Sequence, residues 1–409
     1  MLAELVEVGF DLTSAGGPFL VLDDPIAGQL DNPDWGLGGT QFVDITSYVR
    51  SIEITRGKAD FLGTISAGEA VVELNNRSRA FDPTFEASPF YGNIVPKREV
   101  RISTNGIVQY RGVIDDWNLI YTTNGDAVAV FVASDGFVFL SNQTLGASTS
   151  TVQSSGDRVN AILDDPFVQW PATQRNIDTG VSVLGADVIA VDTNVLQYLQ
   201  KVEQSELGRF FIAKNGYATF LDRTVAPTTA GAIQLADDGT GIPYQDLSVM
   251  YGSENLANEI VASSVVTAGT VTVTDADSQA AYGIFNLTLT DLLLSTDTQV
   301  ADIAVFLASK YSQPKYRFNE ITVRVNDLTT PQQTQLLGVE IGDVVKVTFT
   351  PSGIGPAIVK YAEVLRANHA VSVDGEHEIV FGLDTIDYTY FVLDDIVFGR
   401  LDEGNALGF

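Results

Sequence analysis

Four Asn-Gly or Asp-Gly dipeptides, each set between runs of apolar residues, restrict this chain more than any other feature. They are Asn105-Gly106, Asn124-Gly125, Asn215-Gly216 and Asp374-Gly375. A two-residue type I′ turn needs positive φ at both central positions, which Asn and Gly tolerate, and its twist matches that of the strands it joins. Around Asn105-Gly106, Val100 and Ile102 lie on one face of the incoming strand and the run from Ile107 to Ile114 returns as its partner. Upstream, Ala70, Val72 and Leu74 repeat the period of two before a long loop rich in Asn, Arg and Pro. The same turn chemistry follows NLIY, FFIA and AVSV. Four hairpins of one kind predict a mainly antiparallel β protein.

At 409 residues the chain is long enough for several domains, at roughly 100–200 residues each. Hydrophobic residues at 45% and 22 Phe supply the cores, and no window approaches the roughly 18 unbroken apolar residues of a membrane span, so no stable membrane anchor is expected. The start, MLAELVEVGFDL, lacks the basic and apolar regions of a secretion signal, which predicts synthesis and folding in a cytosol. With no cysteine, disulfides, thiolate nucleophiles and Cys-ligated metals are excluded. The two histidines, His369 and His377, flank the Asp374-Gly375 turn and are expected as strand neighbours at the surface. No third ligand or nucleophile accompanies them, and neither a P-loop nor a GxGxxG turn is present. No cofactor, no resident metal and no catalysis are therefore expected.

The turns and periodicities divide the chain into five regions. Residues 1–40, rich in Gly, Asp and Pro, read as an N-terminal arm. Residues 41–145 read as a first strand block, a β-barrel or sandwich. Residues 146–230 read as an α+β insert: DRVNAILDD is a short helix, and Val195, Leu196, Leu199 and Val202 share a helical face that a Gly stop at Gly208 ends. Residues 231–390 read as a second strand-rich block, interrupted by a helix with Val300, Ile303, Ala304, Leu307 and Tyr311 on one stripe before Pro314. Residues 391–409 form a C-terminal arm.

The two arms share a short repeat. LVLDDPIAGQLD at 20–31 and FVLDDIVFGRLD at 391–402 agree at seven of twelve positions. Asp23, Asp24 and Asp31, with Asp394, Asp395 and Asp402, are oxygen ligands of the kind calcium takes. The spacing is not that of an EF-hand, and a strand-and-turn that packs on neighbouring subunits is the simpler reading. The net charge of −29 repels phosphates, so sequence-specific nucleic acid binding is not expected. Such acidity either keeps a large β protein soluble or lines a channel along which DNA slides without sticking.

Several segments together carry a resemblance. SIEITRGKADFLGTISAGEAVVELNNRSRAFDP, SPFYGNIVPKREVRI, YRGVIDDW, VASDGFVFL, NVLQYLQKVEQSELGRFFIAKNGYATFLDR, ENLANEIVAS and VEIGDVVKVTF follow in order from Ser51 to Phe349. In this order they resemble the minor tail, or tail hub, proteins of long-tailed phages of actinobacteria, relatives in fold of contractile baseplate hubs. The resemblance implies two tail-tube-like β-barrels held apart by smaller inserted domains. It also implies a homotrimer whose six barrels match a six-fold tube, sited at the virion tail tip. Its partners would be the distal tail protein, the tape measure protein and other minor tail or receptor-binding proteins. A ring of this kind would close or narrow the DNA channel.

Two rivals are separable. The six-copy distal tail protein also begins with such a barrel, but length and a second strand block favour the hub. A β-sandwich that binds or cleaves glycan would need paired carboxylates. The best pair, Asp115-Asp116 beside Trp117, alternates across a strand and cannot flank one bond.

Overall fold

The computed structural model describes residues 2–11, 40–224 and 232–386. The protein is mainly β, organised as two strand blocks with one helix-containing insert between them and a second inside the second block. The first block comprises β1 (Glu4–Asp11), β2 (Thr40–Asp44), β3 (Val49–Gly57), β4 (Ser66–Asn75), β5 (Glu99–Thr104), β6 (Ile107–Tyr121) and β7 (Ala127–Ser134). Alternation decides its core: Ala70, Val72 and Leu74 of β4 and Ala129, Phe131 and Ala133 of β7 are fully buried, while their neighbours are part-exposed or exposed. The long loop after β4 plugs this core with Phe81 and Phe90, whose rings stack at 5.3 Å, and Phe81 stacks on Trp117 at 5.8 Å. Burying each such ring stabilises by about 1.5–3 kcal/mol. Asn76 Oδ1 fixes the loop by accepting from the Phe81 amide at 3.0 Å.

The N-terminal arm expected over 1–40 does not begin at residue 1. Glu4–Asp11 is a central strand between β2 and β5, and Val6, Val8 and Phe10 are buried in the first core. Their period of two was present in ELVEVGFD. Residues 12–39 and 387–409 lie outside the described residues, and with them both LDD repeats and all six of their named aspartates.

All four turns form antiparallel hairpins, though in two geometries. Asn105 and Gly106 have φ of 50° and 78°, as type I′ requires. At the other three only the glycine is left-handed, and the closing bonds run in the pattern Gly125 N to Thr122 O and Thr122 N to Asp126 O. That is a type I turn followed by a glycine bulge, in which Asn or Asp takes an ordinary turn position.

The first insert begins with α1 (Phe137–Asn142) and short paired strands β8 (Thr144–Leu145), β9 (Ser148–Ser150) and β10 (Gln153–Ser154), followed by α2 (Ser155–Leu163). Then come β11 (Arg175–Ile177), β12 (Val183–Leu184), β13 (Asp187–Ile189), β14 (Thr193–Asn194), α3 (Val195–Glu206) and the hairpin β15 (Arg209–Ile212) with β16 (Ala218–Leu221). Ser154 caps α2 and Asn194 caps α3. Val195, Leu199 and Val202 are fully buried, as their stripe predicts. The left-handed residue that ends α3 is Leu207, not Gly208. Gly208 is small for another reason: a Cβ there would lie 2.5 Å from the Leu221 carbonyl oxygen.

The second block comprises β17 (Ile233–Ala236) and β18 (Asp246–Met250), and resumes after its own insert. That insert holds β19 (Glu259–Ser264), β20 (Thr270–Thr274), α4 (Ala276–Tyr282), β21 (Asn286–Leu292) and α5 (Asp297–Tyr311). All five stripe residues of α5 are buried, and they join the core of the first insert, not that of the second block. The region 231–390 thus contains a three-stranded sheet and helix that pack away from its remaining strands. The block closes with β22 (Arg317–Arg324), α6 (Thr330–Gly338), β23 (Val344–Phe349), β24 (Ile358–Val371) and β25 (His377–Ile386) around a separate core.

One sheet runs through both blocks in the order β18-β22-β25-β24-β3-β4-β7-β6-β5-β1-β2. The long strand β24 makes this possible. Its first half pairs with β23, and Arg366–Val371 pairs with β3, from Val371 opposite Ile52 to Arg366 opposite Gly57.

Candidate assembly site at the junction of the strand blocks

The β15–β16 hairpin is wedged between the blocks and shows how the inserts fix their spacing. At its base, the Arg209 guanidinium meets Glu363 of β24, both side chains nearly fully buried. At its tip, Lys214 Nζ donates to the carbonyls of Leu337, Gly338 and Val339 at 2.8–3.0 Å, capping the C-terminal end of α6 where the helix dipole favours a cation. Glu340 accepts from the Lys214 amide at 2.8 Å and from Arg56 of β3 at 2.7 Å. Arg56 also donates to the Ile212 carbonyl at 3.2 Å. The Asn215-Gly216 turn sits against Arg111 of β6, which a Cβ at Gly216 would approach to 3.0 Å.

The loop from Lys58 to Ile65, between β3 and β4, completes the junction. Phe61 leaves its own block and enters the core of the inserts, where its ring lies under Lys310 Nζ at 3.4 Å and near Lys58 and Arg209 at 5.5 and 5.4 Å. Carboxylates match these cations: Glu203 lies 3.8 Å from Lys58, and Asp384 lies 2.5 Å from Lys310 and 3.7 Å from Arg317. Burial pushes Glu203 up to about 7, opposed by the charges of Lys58 and Arg209, and pushes Lys58 down. Burial also raises Asp135 to about 6 at the start of α1, although the amides of Phe137 and Gly68 donate to it. Such a cluster fixes geometry more than it stabilises, because each charge is desolvated and tolerates one arrangement of its partners.

The histidines, expected at the surface, are buried. His369 Nδ1 lies 3.1 Å from His377 Nε2, and His377 Nδ1 lies 3.1 Å from Glu4 of β1. Burial, then the neighbouring His377, holds His369 well below the usual histidine range. Their spacing across the turn makes them neighbours, and Glu4 of β1, which meets His377, is what the spacing does not show. Asp115 and Asp116 do not converge. Asp115 pairs with Lys97 and accepts from Ser134, while Asp116 is exposed. Among the described residues no group of three or more His, Cys, Asp or Glu is placed to hold a metal. Lys58, Phe61, Arg209, Lys310, Arg317 and Asp384 come from segments too far apart for any spacing rule to join them.

Outward, β2 and β18 each pair on one side only among the described residues, and an unpaired strand edge is a template for a further strand.

No protein-family model matches the chain, and no curated protein matches it in sequence. Solved structures do. A tail protein from Neisseria meningitidis MC58 superposes with a TM-score of 0.59 at 12% identity, covering 94% of this chain and 97% of that one. A 43 kDa tail protein of prophage MuSo2 from Shewanella oneidensis superposes with a TM-score of 0.53 at 14% identity, covering 84% and 95%. The chain has the fold of these tail proteins.

Proposed function

We propose that the chain is a structural protein of a phage tail tip, a hub in which the two strand blocks occupy neighbouring places in a ring below the tail tube. The observation that carries this is the sheet that passes from one block to the other through β3 and β24. Two strand blocks joined edge to edge within one chain do what two subunits would otherwise do, so three chains would present six blocks. The free edges at β2 and β18 would then meet neighbouring copies. The inserts and arms remain to engage the distal tail protein, the tape measure protein and receptor-binding proteins. The net charge of −29 suits a lumen that passes or holds back DNA without binding it.

Light scattering on the purified chain over a concentration series, with tail tips imaged in projection, tests this reading. Three copies of 44.0 kDa with three-fold views are expected; six copies would assign the chain to the distal ring instead. Tails assembled without the chain should lack the tip ring, and unaltered tips would overturn the proposal. In the reconstructed ring, a neutral or basic lumen would remove the channel role.

A further inference from the structure

Lys310 lies in the last turn of α5 and Asp384 near the end of β25, 74 residues apart, yet Nζ and Oδ2 are 2.5 Å from each other. Each side chain is nine-tenths buried. The Phe61 ring covers the amine at 3.4 Å and Tyr311 flanks it at 5.6 Å. Among the described residues Asp384 is the one hydrogen-bond acceptor that the Lys310 amine reaches, although an ammonium carries three donors. Glu363 stands directly opposite Asp384 in the β24–β25 ladder and interacts electrostatically with both Lys310 and Asp384. Residues directly opposite in an antiparallel pair place their side chains on one face, within contact. Arg317 brings Nη1, which has no hydrogen-bond partner among the described residues, to 3.7 Å from the second oxygen of Asp384, and it is anchored by donating from Nη2 to the Lys310 carbonyl at 3.0 Å.

We propose that Lys310 and Asp384 condense into an intramolecular isopeptide bond. The parts required are a lysine and a carboxyl held in contact in a largely buried site and a cation beside the oxygen that gains charge. The ammonium gives one proton to Oδ2 along the hydrogen bond that already joins them. The freed amine attacks Cγ of Asp384, and Arg317 faces Oδ1 as negative charge gathers there. A second proton leaves the nitrogen for Oδ2, the Cγ–Oδ2 bond breaks, and water departs. One C–N bond forms, one C–O bond breaks, no electrons are exchanged, and a buried pair of opposite charges becomes a neutral amide. The bond would tie the second insert to the second strand block.

The proposal is independent of the tail reading and is tested on the full chain by intact mass under denaturing conditions. The purified protein is expected to be lighter than its sequence by one water, with a branched tryptic peptide joining the Lys310 and Asp384 segments. Lys310→Arg and Asp384→Ala should each restore the full sequence mass. A wild-type chain at full mass overturns the proposal. So does a water loss that persists in Lys310→Arg or maps to other peptides.

Discussion

Replacing Gly57 by alanine should strike the place where the two strand blocks become one sheet. Gly57 has φ of +107°, and a Cβ there would lie 2.2 Å from the Leu365 carbonyl oxygen and 2.7 Å from the Arg366 Cα. Backbone cannot swing aside as a side chain can, so β3 must move by about 1 Å to restore a normal contact. That displacement carries the Lys58 amide, now 3.0 Å from the Leu365 oxygen, beyond the roughly 3.2 Å limit of a good bond. It also disturbs the adjoining rung between Arg366 and Gly57. Two lost bonds at about 1 kcal/mol each, with about 1–2 kcal/mol for a left-handed alanine, sum to about 3–4 kcal/mol. Gly106→Ala is the matched control: φ is +78°, and nothing lies within 4 Å of a Cβ there, so only the conformational cost of about 1–2 kcal/mol applies. Urea unfolding of both variants, followed by tryptophan fluorescence, should separate them by about 2 kcal/mol. Equal losses would refute the claim that close approach of β24 demands glycine at this position.

Glu203 gives a pH signature. Its folded value of about 7 exceeds the ordinary 4.5, so its contribution is fully present below pH 4.5 and is lost as pH rises through 7. The shift amounts to about 3 kcal/mol at about 1.36 kcal/mol per unit; Glu203→Gln should flatten this part of the stability–pH profile, and an unchanged slope would count against it. His369 has the opposite sign: its folded value is depressed, so stability is full above its ordinary 6.5 and falls with acidification. In His369→Gln the acid side of thermal melting curves should become shallower. Arg209→Ala strands Glu363 in the interior and should cost about 3–5 kcal/mol, whereas Arg209→Met with Glu363→Met should recover most of that loss by chemical denaturation; no recovery would show that the pair is not the source.

The strands and helices were readable because each announces itself over a few consecutive residues. The alternation of β4 and β7, the four turn dipeptides and the buried stripe of α5 all act over short range. β1 was just as regular, but the glycines and aspartates that follow it masked its pattern. Two turn geometries stayed hidden because Gly at a bulge and Gly in a type I′ turn share one dipeptide. The junction was not legible at all. Phe61, Arg209, Lys310 and Asp384 meet only after four separate segments fold, and a buried lysine looks in sequence like any solvated one.

The pairing of β3 with β24 also sets how the molecule would carry load. Six rungs, from Ile52–Val371 to Gly57–Arg366, lie side by side along the strand direction. A pull along that direction that drew the blocks apart would stress all six rungs together, so none could yield before the others. Pulled across the strands, the same rungs would open one at a time from an end. The seam is therefore stiff to sliding and weak to peeling, and a molecule built on it would resist axial force best with its strands aligned to the pull.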